Sequence, residues 1–151
     1  MINTDIVNML LIDRTRIVEA ITTGAAWEIW AQVEMVTLFR LRGVNVAREL
    51  PYPPPNAGWS LDLMAQDAAG QYAIELKVES ATNAGAALLA AAQQDMVKIQ
   101  NYPAPVPGAR WVVAIAYSGV ARNALNGFAA APGNNAIYQE ADNVGVMVAA
   151  R

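Results

Sequence analysis

The sequence predicts an α/β domain with a mixed central sheet flanked by helices. Three observations carry that expectation. Residues 59–79 alternate apolar and polar side chains on both sides of a turn, as a hairpin with one face in a core does. Residues 111–117 are almost continuously apolar, as a strand buried on both faces is. Stretches of apolar residues at helical spacing precede, separate and follow these segments.

In chain order, Ile6, Val7, Leu10, Leu11, Ile17 and Val18 predict one helix over 1–21, with Thr4 as its cap and Thr22, Thr23 and Gly24 as its stop. A second helix is expected over 25–42, with Trp27, Trp30, Ala31, Leu38 and Leu41 on one stripe and Gly43 ending it. Residues 44–48 read as a short first strand, and Pro51, Pro53, Pro54 and Pro55 as a stiff connector rimming whatever the hairpin carries. After the hairpin, Thr82 or Asn83 is expected to cap a helix over 84–100, alanine-rich at its start and polar along Gln93, Gln94 and Lys98. A loop over 103–108 leads to the buried strand. A short helix over 123–128, a turn over 132–135 and a last strand over 144–149 complete the reading.

At 151 residues the chain is expected to form a single domain, with 1–23 as an N-terminal helix and 24–151 as the core. It has neither cysteine nor histidine. That removes disulfides, thiol nucleophiles, thiolate zinc sites, Ser-His-Asp triads and histidine-based nucleases. Acid–base or metal chemistry must therefore use carboxylates, lysine, tyrosine or water. No apolar run approaches the roughly 20 residues of a membrane helix, and the N-terminus lacks a signal-peptide layout, so a soluble, cytoplasmic protein with no membrane partner is expected. The net charge of −3 and pI near 4.8 weigh against indiscriminate nucleic-acid binding. The basic residues are unevenly spread, however: Arg40, Arg42 and Arg48 cluster, and lysine occurs only as Lys77 and Lys98.

The hairpin carries the chemistry. Trp59, Leu61, Leu63 and Ala65 share one side of its first strand, and Tyr72, Ile74, Leu76 and Val78 one side of its second, with 67–70 as the turn. Symmetric pairing about that turn sets Leu61 against Leu76, Leu63 against Ile74, Asp62 against Glu75, and Ser60 against Lys77. Like charges directly opposed destabilise a sheet, so a cation is expected between Asp62 and Glu75. Mg²⁺ (or Mn²⁺) suits two carboxylates and the Leu76 carbonyl, with Lys77 on the same face to steady a water or a phosphate. A half-exposed hairpin with a merely charged outer face is the plainer alternative. Glu34 falls inside the apolar stripe of the second helix, where a carboxylate must be metal-bound or paired with an arginine; Glu28 lies at the stripe's border.

Asp62 followed by Glu75-Leu76-Lys77 in an apolar strand resembles the D…(D/E)-x-K core of the PD-(D/E)XK nuclease superfamily, which includes restriction endonucleases, RecB-type nucleases and archaeal Holliday-junction resolvases. Residues 27–117 follow that family's order of helix, strand, hairpin, helix and strand. Leu61 stands where the family usually has proline, and the glutamine-to-tyrosine spacing of RecB-type members is not reproduced. The resemblance implies a restriction-endonuclease-like fold with Asp62, Glu75, Leu76 and Glu34 holding the metal, Lys77 catalytic, and Gln94 or Lys98 near the scissile phosphate. It implies hydrolysis of nucleic acid, DNA first among the candidates, with Arg40, Arg42 and Arg48 as further phosphate contacts and a homodimer as one assembly. Two other functions stand beside it: a non-catalytic module of this fold that binds or assembles, and a carboxylate-metal enzyme acting on a small phosphorylated molecule.

Overall fold

The computed structural model describes residues 1–23 and 27–151. Gly24, and Ala25 and Ala26 at the expected start of the second helix, lie outside the described residues. The elements are α1 (Asn3–Ile12), α2 (Arg14–Thr22), α3 (Trp27–Leu41), β1 (Asn45–Pro51), β2 (Ser60–Asp67), β3 (Gly70–Val78), α4 (Ala86–Lys98), β4 (Gly108–Ala116), α5 (Gly119–Ala130), β5 (Ala136–Ala141) and β6 (Val144–Ala150). The fold is α/β. Among the described residues six strands form one mixed sheet in the order β1-β2-β3-β4-β6-β5, antiparallel throughout except for β3 and β4. That parallel pair is joined through α4, the crossover such a pair needs. No described helix is long and apolar enough to cross a membrane.

Two apolar layers hold the sheet. On one face Tyr72, Ile74, Leu76, Val78, Trp111, Val113, Ile115 and the valines of β6 pack against Ile6, Leu10, Ile17, Met35 and Phe39 of α1, α2 and α3. On the other, Ala73, Val112, Ala114, Ala116, Met147 and Ala149 pack against Leu88, Ala92 and Met96 of α4 and Ala121 and Leu125 of α5. The strands β3, β4 and β6 are thus covered on both sides, which is why 111–117 reads as an unbroken apolar run.

Several expected boundaries shift for local reasons. The N-terminal helix is two helices. They meet at Asp13, a residue type that favours helix starts, and Asp5 rather than Thr4 accepts the Ile2 N–H at 2.7 Å. The helix expected over 84–100 begins at Ala86. Asn83 closes a turn by accepting the Ser80 N–H, and Gly85 (φ 60°) precedes the first helical residue. It ends in a 3₁₀ turn over Ile99–Asn101. Ser118 caps α5 through Ala121 N–H, so that helix is longer than the apolar pattern over 123–128 suggests. Strand β5 was not expected; it is a half-exposed edge strand with no clear alternation. In the hairpin turn, Asp67 Oδ1 accepts Ala69 N–H at 2.8 Å and Gly70 N–H at 3.1 Å. Gly70 also allows a close approach, since a Cβ there would lie 2.4 Å from the Pro107 carbonyl oxygen.

Glu79, just past β3 and 1 % exposed, ties the crossover together. Its carboxylate accepts Gly85 N–H at 2.9 Å before α4, and Tyr117 N–H at 2.9 Å, Ser118 N–H at 2.8 Å and the Ser118 hydroxyl at 2.5 Å after β4. Burial acts to raise its pKa, but these hydrogen bonds outweigh burial and hold the carboxyl below its usual range. Glu79→Ala leaves three backbone N–H groups and a hydroxyl without their acceptor. It is expected to lower the free energy of unfolding by about 3 kcal/mol or more in urea titrations at pH 7. Because the depressed pKa contributes stability only above the unfolded value, the gap between variant and wild type narrows as pH falls through the carboxylate range.

Candidate functional site at the parting of two strands

The pairing of β2 with β3 runs from Asp67–Gly70 to Leu63–Ile74, and Asp62 and Glu75 are the next positions outward. There the ladder stops. Asp62 Oδ2 accepts the Leu76 N–H at 2.7 Å, so the carboxylate is inserted between the strands in the direction of their hydrogen bonds. Its Oδ1 accepts from Gln32 Nε2 of α3 at 2.8 Å, and Gln32 Oε1 accepts from Arg48 Nη2 at 2.8 Å.

This insertion corrects the expected faces of the hairpin. Leu63 and Ala65 belong to the α1–α3 layer with Ile74 and Leu76, but Leu61 belongs to the α4–α5 layer with Tyr52 and Ala73. The expected Leu61–Leu76 contact is replaced by a switch of pleat at Asp62. Its neighbour strand switches too: Arg48 pairs with Leu63 and Leu50 with Leu61, and Glu49 between them sits at φ 53°. Asp62 therefore lies in the gap between β2 and β3 and not on the Glu75 face.

Glu75 faces α4 and is 1 % exposed. Its Oε1 accepts the Tyr52 hydroxyl at 2.5 Å and its Oε2 accepts Lys98 Nζ at 2.9 Å. Lys98 also donates to the Ser60 carbonyl at 2.9 Å and stands 5.4 Å from the Tyr52 ring centroid. Lys77 bridges the two helical layers, with Nζ 3.5 Å from Glu28 Oε1 of α3 and 3.3 Å from Asp95 Oδ2 of α4. The cluster holds four carboxylates, Glu28, Asp62, Glu75 and Asp95, against the ammonium groups of Lys77 and Lys98.

The electrostatics show how closely these groups crowd. Burial pushes Glu75 up to about 7; the Tyr52 and Lys98 hydrogen bonds oppose the rise and the charge on Asp62 adds to it. Burial also raises Glu28 and Asp95, each partly offset by Lys77 and each raised further by Asp62. For Lys77 burial disfavours the charge, yet Asp95 and then Glu28 outweigh it and hold the ammonium above the ordinary lysine range.

Glu34 is not brought to this cluster. Its Oε2 accepts from Arg16 Nη2 at 2.9 Å and its Oε1 lies 2.7 Å from Arg16 Nη1, so the buried carboxylate fastens α3 to α2. Two positions separate Gln32 from Glu34, which turns them to opposite sides of α3; Glu28, one turn before Gln32, supplies the α3 carboxylate of the cluster. Arg48 and Lys98 are at the site. Arg40 is exposed at the end of α3, and Arg42 donates to the Leu38 carbonyl and lines a cleft of about 450 Å³ with Met1, Asp5 and Asp67, at the turn end of the hairpin. Gln94 is exposed on α4, one turn before Lys98. A second cleft, of about 410 Å³ and lined by Trp27, Glu28, Val78 and Ser80, borders the cluster at Glu28.

Three members, Asp95, Gln32 and Tyr52, escape the sequence reading, and Glu28 appears in it only at the border of the apolar stripe. Asp95 is visible only as a charge beside the buried Ala92 and Met96 stripe, three residues before Lys98. Gln32 and Glu28 share a helix face at a spacing of four, which marks them once one of them is placed. Tyr52 sits among prolines and carries no periodic signal.

Among the described residues no set of three or more carboxylates converges as a ready-made ion site. Of the groups expected to hold a cation, Asp62 is turned toward Gln32 of α3 and Glu75 toward Tyr52 and Lys98 of the α4 side, with the Leu76 backbone between them. Comparison with protein-family models, with curated proteins and with solved structures finds no match.

Glu75 yields a direct test of this electrostatic picture. Its folded pKa of about 7 lies above the ordinary glutamate value of 4.5, so its contribution to stability is complete below 4.5 and is lost as pH rises through 7. In metal-free buffer, melting profiles from pH 5 to 8 should show wild type falling relative to Glu75→Gln. Parallel profiles would mean that Glu75 is ionised without strain.

Proposed function

We propose that this chain is a metal-dependent nuclease of the PD-(D/E)XK type, hydrolysing phosphodiester bonds in nucleic acid, with DNA as the first candidate. The observation that carries the reading is the insertion of Asp62 between β2 and β3 beside Glu75, with Lys77 one pleat further on. The succession α3-β1-β2-β3-α4-β4, with β3 parallel to β4, supports it as well.

In this reading Asp62, Glu75 and the Leu76 carbonyl hold Mg²⁺ or Mn²⁺. The ion, when bound, lowers the pKa of a coordinated water and offsets charge on the phosphate. Lys77 directs its ammonium at the attacking water or the phosphoryl oxygens, where negative charge grows in the transition state. Gln32, held by Arg48, orients Asp62; Tyr52 orients Glu75. Lys98 and Arg48 serve as phosphate contacts, and few other cations lie near the cluster, so substrate affinity should depend on the ion and on these two side chains. Glu34 is left as a structural residue. A cytoplasmic setting, where nucleic acid and Mg²⁺ are at hand, goes with this function. A homodimer through α3 is its assembly counterpart, since Ile29, Val33 and Leu41 are exposed along that helix. The same exposed residues favour the second reading, a non-catalytic module of this architecture that works by association.

Nicking of supercoiled plasmid with Mg²⁺ or Mn²⁺ decides between them. Asp62→Ala, Glu75→Ala and Lys77→Ala are expected to lower the rate by about 100-fold or more, while Glu34→Gln lowers stability and leaves the rate near wild type. Cleavage that persists unchanged in Asp62→Ala and Lys77→Ala belongs to a contaminant and removes the proposal. Calorimetric Mg²⁺ affinity should tighten from pH 6 to 8, as Glu75 loses its proton.

A further inference from the structure

Lys77 and Lys98 are the chain's only lysines, and the cluster uses both differently. Lys98 donates two hydrogen bonds of 2.9 Å, to Glu75 and to the Ser60 carbonyl. Lys77 has no such fixed acceptor among the described residues; it is steered by two carboxylates at 3.3 and 3.5 Å. Those two carboxylates are unequal. The Glu28 side chain is 38 % exposed, whereas that of Asp95 is 13 % exposed, and its Oδ2 is buried and accepts no hydrogen bond among the described residues, with the Lys77 ammonium 3.3 Å away as its ion-pair partner. A carboxylate in that position is costly unless it serves a cation.

Asp95 is also held from behind. It lies on the α4 turn between Ala92 and Met96, which are packed in the core, so its backbone cannot retreat without opening that layer. The result is a rigid negative charge on α4 facing a flexible four-carbon side chain on β3.

We propose that Asp95 is a positioning residue: it fixes the Lys77 ammonium at the gap between β2 and β3, beside Asp62 and Glu75. Glu28, at the solvent side, only trims the direction. This inference rests on the nuclease reading for its catalytic consequence but not for the placement itself. It assigns α4 a role at the site through an aspartate, at a position distinct from Gln94 and Lys98.

Uniformly ¹⁵N-labelled protein tests the placement without any substrate. An ammonium pinned by a buried carboxylate exchanges slowly enough for its ¹H–¹⁵N signal to be seen at low temperature, and with two lysines the assignment needs only Lys77→Arg. The Lys77 signal is expected in wild type, to persist in Glu28→Gln, and to disappear or shift in Asp95→Asn, while the Lys98 signal stays unchanged. Asp95→Glu, which keeps the charge one methylene further out, should retain a shifted signal and serves where Asp95→Asn is poorly folded. In the nicking assay, Asp95→Asn should lower kcat about tenfold or more with KM little changed, and Asp95→Glu should recover part of the loss. A Lys77 signal indifferent to both Asp95 variants overturns the inference, as does full kcat in Asp95→Asn. If wild type cleaves nothing while the Lys77 signal follows Asp95 as described, the nuclease reading fails and the positioning role stands.

Discussion

The hydrogen bond from Leu76 N–H to Asp62 Oδ2, at 2.7 Å, is the constraint from which the rest of the site follows. A side-chain carboxylate at that point takes a donor that belongs to the sheet, and β2 and β3 part as a result. Parting opens a gap at the carboxyl-terminal half of β3, beside the start of the crossover to β4, a region where open α/β sheets commonly bind ligands. It also lets groups from both helical layers meet, Gln32 and Glu28 from α3, Asp95 and Lys98 from α4. Without the insertion, Asp62 would stand on one face, Leu61 and Leu63 would share a layer, and the two sets of helices would be separated by an unbroken sheet.

The gap concentrates negative charge in a place that water reaches poorly. Glu75 shows the consequence most clearly, because burial lifts its pKa to about 7 even with a hydroxyl and an ammonium bonded to it. Glu79, four residues on and equally buried, behaves oppositely: hydrogen bonds from Gly85, Tyr117 and Ser118 outweigh burial and keep it ionised. The two carboxylates differ in completeness. Glu79 has all the donors it needs and fastens the crossover, whereas Glu75 shares its neighbourhood with other acids and gains from any further positive charge. Perturbation of this kind gathers at functional sites, and the contrast between the pair separates a fully bonded acid from a crowded one.

Much of the architecture was legible because periodicity is strong wherever both faces of a strand are buried. The pairing of Leu63 with Ile74, the continuous apolar strand β4 and the helices on either side of the hairpin all follow from residue spacing. Three features were hidden for physical reasons. The split of the first helix at Asp13 lies in a stretch whose apolar residues continue across the break. The edge strand β5 buries too little to alternate. The pleat switch at Glu49 and Asp62 breaks the period-two rule at the very residues on which the site depends, so alternation places Asp62 on the Glu75 face when it lies between the strands. Glu34 illustrates the same limit: a carboxylate on an apolar stripe signals a partner, and the spacing alone does not say that the partner is Arg16 of the preceding helix.

In the proposed nuclease Asp62, Glu75 and the Leu76 carbonyl gather hard oxygens around one cation position. Crystals soaked in Mn²⁺ measure it directly through anomalous scattering. A single strong peak is expected in the gap between β2 and β3, about 2.0–2.6 Å from an oxygen of Asp62 and of Glu75, and it should vanish in Asp62→Asn crystals. A peak elsewhere, or none in crystals that remain saturated with Mn²⁺, would contradict it.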